Sequence, residues 1–253
     1  MLPKLSPRGR SGLVALGFLA ILIGGLAAGP AAAPDPRYSA LVRAWYRDLF
    51  GRTPSEAEIM LWQPVLAASP PRSVAMTLIV SPEGQSVAFT RIATSAMGDP
   101  LVNWRKLFLD QIATRREIRQ MARLAVVCAP EYRKHTGMSW EAWLKGLHRV
   151  ILRRDPTPVE AAGWKMVLDA NYAGDHVAYY LSKSHEGAVA AVRGLFLDLL
   201  GHEPRPDLLD VSVARILNGA TEEDVLADLL ASDEYALQRG VPRAPVDAPA
   251  RSH

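Results

Sequence analysis

The feature that most constrains this chain is a spaced recurrence. Four short segments, Ser81-Pro-Glu-Gly84, Ala129-Pro-Glu-Tyr132, Ser184-His-Glu-Gly187 and Ser232-Asp-Glu-Tyr235, follow one another at intervals of 48, 55 and 48 residues. Upstream of three of them stands a second landmark, an apolar pair, turn residues and a proline: Leu49-Phe-Gly-Arg-Thr-Pro54, Ile151-Leu-Arg-Arg-Asp-Pro156 and Leu199-Leu-Gly-His-Glu-Pro204. From that proline to the later glutamate the distance is 29, 30 and 30 residues. Two landmarks kept in step over three copies mark an internal repeat, whose units must bury their apolar faces against one another. One further copy is degenerate: Pro100 lies 31 residues before Glu131, with no apolar pair ahead of it.

The recurrence divides the chain into four units, 38–92, 93–138 (the degenerate one), 139–188 and 189–240. Before them comes an N-terminal segment, 1–33, and after them a proline-rich tail, 241–253, expected to be disordered. Within the units the apolar residues keep helical spacing. The first copy has Leu41, Val42, Trp45, Leu49 and Phe50; the third has Trp140, Trp143, Leu144, Leu147, Val150 and Ile151; the last has Val192, Leu195, Phe196, Leu199 and Leu200. Eight residues beyond the proline stand Trp62, Phe108 and Trp164, with Ser212 in the last copy.

Start signals agree with helices. Thr53-Pro-Ser-Glu56, Thr157-Pro-Val-Glu160 and Thr114-Arg-Arg-Glu117 read as capping boxes, in which threonine accepts a free backbone N–H and glutamate reaches back. Thr221-Glu-Glu-Asp224 places acids at the positive end of a helix dipole. A third helix of each unit is expected to begin near Ser73, Thr114, Asp175 and Thr221, and each Ser-x-Glu landmark to cap the helix entering the next unit. Alternation with period two is missing from every segment of useful length, so the expectation is an all-α fold of tandem helical repeats.

The pI near 9.1 traces to the N-terminus. Lys4, Arg8 and Arg10 face no acid in residues 1–33, and the remainder carries 26 basic and 26 acidic side chains. A body of zero net charge gives no field for a polyphosphate, so nucleic acid is not expected as a partner. The basic start precedes an apolar run from Gly12 to Gly29 and then small residues, the three-part form of a secretory signal. About 18 apolar residues are also just enough to cross a bilayer, which leaves membrane anchoring by residues 12–29 open as an alternative. Either way the body is expected outside the cytoplasm: periplasmic, secreted or held at the inner membrane.

Tyr46-Arg47, Leu49-Phe-Gly-Arg52, Pro54, Trp62 and Ser81-Pro-Glu83 together resemble a bacterial family known only as a domain of unknown function, recurring in tandem in exported proteins. They are also distantly similar to the helical repeats of phycobilisome linker polypeptides. The resemblance covers most of residues 38–240 and implies a fold; its motifs are structural, and no pigment-assembly role follows from it. The later copies depart from the pattern, with Arg153 in place of the glycine and His202 in place of the arginine.

Candidate chemistry is sparse. Asp169-Ala-Asn-Tyr-Ala-Gly-Asp175 imitates the start of a calcium loop but has Ala173 and Tyr180 where side-chain ligands belong. The histidines (135, 148, 176, 185, 202 and 253) make no zinc spacing and are expected to be solvated or capping. Cys128, in an apolar run, is expected to be small and buried. The six tryptophans are expected in the core. Arg52, Arg153, Arg154 and His202 would recur along one edge of a stacked array; the plainer expectation is that they bond the carbonyls ending the preceding helix. No catalytic, cofactor-binding or metal-binding residue is assigned. The expected role is non-enzymatic, a structural or protein-interaction module of the cell envelope; the alternatives are a membrane-tethered accessory subunit of an envelope complex and, behind it, an enzyme with an unrecognised site.

Overall fold

A computed structural model describes residues 35–112, 116–169 and 174–242, and those residues are helical with no strand among them. Segment 1–33, with the apolar run 12–29, and the tail from 243 onward lie outside the described residues. No helix among the described residues is long and apolar enough to cross a membrane.

The first seven helices are α1 (Pro36–Phe50), α2 (Glu56–Ala68), α3 (Pro71–Ile79), α4 (Pro82–Met97), α5 (Val102–Ile112), α6 (Ile118–Cys128) and α7 (Pro130–His135). The next seven repeat their order and proportions: α8 (Trp140–Leu152), α9 (Pro158–Asp169), α10 (Gly174–Lys183), α11 (His185–Leu200), α12 (Pro206–Leu217), α13 (Glu222–Leu230) and α14 (Asp233–Gln238). Equivalent residues of the two halves stand 102 or 103 positions apart, as Gly51 to Arg153 and Ser81 to Ser184.

Local chemistry sets the helix ends. Ser81, Ser184 and Ser232 accept the N–H of the residue three positions on, at 3.0–3.1 Å, and so start α4, α11 and α14. Ala129 leaves α7 without a side-chain cap. Four helices, α1, α4, α8 and α11, end in a left-handed residue: Gly51, Gly98, Arg153 and Gly201, with φ of +71, +72, +59 and +76°. Measured from these residues, the landmark glutamates follow at 32, 33, 33 and 33 positions. The left-handed cap therefore keeps the register better than the proline does, because it fixes where one helix stops.

Several expected starts shift. The box of α2 is Ser55 with Glu58, two positions beyond Thr53, because Pro54 lies outside the helix and Ser55 supplies the hydroxyl. Thr157 with Glu160, and Thr221 with Asp224, stand as expected. Thr114 lies outside the described residues, and Glu117 precedes α6 without capping it. Glu223, from α13, instead accepts the Arg119 N–H in the first turn of α6 at 2.8 Å. A carboxylate borrowed from the other half thus sits at the positive end of α6.

The core is one continuous set of buried side chains, led by Trp45, Phe89, Tyr132, Phe196, Leu147 and Leu230. Burying each such side chain is worth about 1.5–3 kcal/mol relative to exposure. Successive halves join through α6 against α10, and the chain then closes: α3 packs against α13, and α14 returns to α1 and α11. The Trp45 indole N–H donates to the Leu230 carbonyl at 2.9 Å, and Tyr235 donates its hydroxyl to Asp48 at 2.8 Å. In the other half Trp143 donates to the Val127 carbonyl at 2.9 Å; Val127 and Leu230 are equivalent positions. The array is thus closed at a carbonyl equivalent to one at the join of its halves, each reached by an indole from a different position of the facing helix.

Candidate functional site

The arginine two residues before the landmark proline has a definite task. Arg52 binds Glu58 through Nη1 and Nη2 at 3.0 and 2.7 Å, and Glu83 through Nε and Nη2 at 2.6 and 2.9 Å. Arg154 repeats this with Glu160 at 2.8 and 2.6 Å and Glu186 at 2.5 and 2.8 Å. Each guanidinium thus ties the capping box of one helix to the first turn of another, with both glutamates bidentate. The Arg52 guanidinium holds the Glu58 carboxyl down at about 2. His202 makes the fourth version, donating from Nε2 to Glu234 at 2.8 Å; its pKa is raised chiefly by the bond at Nδ1 to the Glu203 carbonyl. These cations bind carboxylates, not the helix-ending carbonyls expected of them, and being neutralised they offer no basic edge.

The basic surface lies elsewhere. Between the halves runs a groove of about 1090 Å³, walled by α1, α4, α6, α7, α8, α11 and α13. Seven of its lining side chains are arginine or lysine and three are carboxylates, although the body beyond residue 33 is neutral overall. The carboxylates are already engaged: Asp48 by Arg239 at 2.7 Å, Asp198 by Arg153 at 3.1 Å, and Glu222 by Arg123. Lys145 and Arg149 share Asp155 outside the groove.

Three cations remain without a carboxylate partner. Arg47 has no side-chain partner among the described residues. Arg91 donates from Nη1 to the Asp48 carbonyl at 2.6 Å, and burial, with the like charge of Arg119, lowers its pKa. Arg119 has its Nε buried and unsatisfied. Arg47 and Arg91 are exposed, so of these three it is the Arg119 Nε that is a buried polar atom without a partner, costly unless something compensates it. Under the groove, a gap of about 10 Å³ is bordered by Arg91, Arg119 and Glu223. Glu223 is 1% exposed, and burial, reinforced by Glu222 and opposed by Arg119, pushes its carboxyl up to about 7.

The halves differ at this groove in a compensating way. Arg91 and Gly194 are equivalent, each the tenth residue of a 16-residue helix, and Gly51 and Arg153 are equivalent caps. Arg91 reaches over Gly51, its Nη2 3.6 Å from where a Cβ would stand, while Arg153 lies directly over Gly194, where a Cβ would collide with its guanidinium. Each half therefore puts one guanidinium at the same crossing of two helices, supplied from opposite partners. Arg47 and Arg149 form a second equivalent pair, and both line the groove.

Other candidates disperse. Residues 170–173 of the calcium-like loop lie outside the described residues; Asp169 pairs with Lys165 at 2.6 Å and Asp175 bonds the His176 N–H. No group of three or more metal-ligating side chains occurs among the described residues. His148 is buried rather than solvated, and donates from Nδ1 to the Leu144 carbonyl at 2.9 Å. Cys128, the last residue of α6, is exposed rather than buried; partial desolvation of the thiol, with Asp175 adding, pushes its pKa up to about 11, away from nucleophilic use. Trp45, Trp62 and Trp143 are core, Trp104 and Trp164 half-buried, and Trp140 is exposed under the Arg133 guanidinium, 3.8 Å from its ring centre.

The fold and site define a closed all-α body around a cation-rich groove. A scan against protein-family models finds no match to this chain, and searches of the curated proteins and of the solved structures find none.

Proposed function

We propose that this protein is an exported, non-enzymatic interaction module of the bacterial envelope, built from four related helical units and engaging a protein partner through the groove between its halves. The observation that carries this reading is the groove itself. It gathers cations without carboxylate partners in a body of zero net charge, which is the arrangement of a surface that completes itself by binding. The left-handed caps and Arg–Glu clamps recurring four and two times support the four-unit reading and the kinship with the tandem domain-of-unknown-function repeats. The basic and then apolar N-terminus supports export, with residues 12–29 either removed or kept as an anchor.

Affinity purification of the full chain from its own envelope fraction tests this reading. A partner retained by the wild type and lost on Arg119→Gln is expected; repeated recovery of no partner would refute it. Intact-mass measurement of the purified chain shows whether residues 1–33 remain, and a tethered accessory subunit requires that they do.

A further inference from the structure

We propose that the groove takes an acidic peptide segment of the partner, whose carboxylates pair with Arg47, Arg91 and Arg119. This rests on the interaction role proposed above and specifies its chemistry.

Four observations carry it. First, those three guanidinium groups lack a carboxylate, and a guanidinium offers a carboxylate two parallel bonds. Second, the Arg91/Gly51 and Gly194/Arg153 exchange keeps one guanidinium at each helix crossing although the sequence there has changed twice. Arg153 is held there by Asp198, whereas Arg91 meets only the Asp48 carbonyl and keeps its charge available to a ligand. Third, the lining includes small side chains, Ala96, Ala142, Ala190 and Ala191, which let a backbone come close. Fourth, the volume of about 1090 Å³ lies just above the range for small-molecule sites, roughly 300–1,000 Å³, and suits a chain segment.

The same lining argues against nucleic acid. Asp48, Asp198 and Glu222 would repel a phosphate backbone, and Tyr132 and His135 are the aromatic rings in the wall, too few to stack successive bases. Carboxylates along a peptide can be spaced to meet the cations and avoid the acids.

The test uses the full chain and a fluorescein-labelled decapeptide alternating Glu and Gly, read by anisotropy at low salt. Saturable binding is expected, weakened about tenfold by Arg91→Gln or Arg119→Gln and unchanged by Arg205→Gln on the outer surface. Thermal melts of the same variants guard against misfolding: peptide binding is expected to fall while the melting temperature holds. Equal binding by all variants overturns the proposal. So does a ten-residue oligothymidylate or an anionic phosphatidylglycerol vesicle that displaces the peptide and loses affinity in the same variants. A co-purified partner that survives Arg91→Gln and Arg119→Gln together ends the acidic-peptide proposal but leaves an interaction role elsewhere on the surface; no partner and no peptide binding end both.

Discussion

Closure of the chain makes a quantitative claim about one atom, the indole nitrogen of Trp45. The side chain is fully buried, and its N–H is donated at 2.9 Å to the carbonyl of Leu230, the last residue of α13. Trp45→Phe keeps an aromatic ring there but strips that carbonyl of the indole donor. An unsatisfied buried polar group costs about 1–3 kcal/mol. The missing five-membered ring leaves about 40 Å³, which at ~24 cal/mol per Å³ adds about 1 kcal/mol. The sum, about 2–4 kcal/mol, corresponds to a melting temperature lower by roughly 5–15 °C for a body of this size. Trp143→Phe, which removes the donor from the equivalent Val127 carbonyl, should cost a similar amount. Calorimetry on both variants is the assay. A loss below about 2 °C for Trp45→Phe beside a large one for Trp143→Phe would refute closure as a structural bond, since it would make the last unit dispensable to the first.

Arg154→Gln should cost about 1 kcal/mol, discounted because its clamp is about a third exposed, and the cost should shrink in 1 M salt, as paired melts at two ionic strengths would record. Glu223 has its folded pKa raised from 4.5 to about 7, so its penalty is absent below pH 4.5, grows as pH rises through 7 and is complete above it. Glu223→Gln should therefore be more stable than the wild type in urea at pH 8 and show no advantage at pH 4.5; an advantage equal at both would contradict the burial argument. Gly84→Ala and Gly187→Ala would drive a Cβ into the carbonyl oxygens of Leu78 and Ile79, and of Leu181, and each should lose about 1–3 kcal/mol by chemical denaturation.

What the sequence made legible was whatever is decided within a few residues. Ser81, Ser184 and Ser232 cap because serine, a short spacer and a turn suffice, and the all-helical class followed from spacing alone. The cap of α2 falls at Ser55 rather than Thr53 because serine and threonine two positions apart, on either side of Pro54, offer the same local signal. The clamp of Arg154 could have been found: the arginine two before the proline keeps company with glutamates four after it and at the later landmark, and where Gly98-Asp99 replaces the arginine the clamp residue is missing too. The groove could not. A zero sum of charges says nothing about where the signs gather, and Arg91, Arg119 and Arg153 meet only through contacts between distant helices. Trp140, His148 and Cys128 were misjudged for the opposite reason: an apolar stripe fixes the face of a helix, while burial at its edge depends on what lies against it.

The seam at Tyr235 has a further meaning. Tyr132 lies against α8, its hydroxyl where a Cβ of Gly146 would be, and its equivalent Tyr235 lies against α1 at Asp48. One of these two junctions is crossed by the short peptide from Thr136 to Ser139; at the other α14 meets α1 with no short peptide between them. The molecule is thus cyclic in its packing and linear only in its covalent bonds. A permuted gene opened between Gly137 and Met138, with a linker from Val241 to Asp35 so that Arg239 keeps Asp48 and Asp35 keeps its cap on α1, should encode the same packed body.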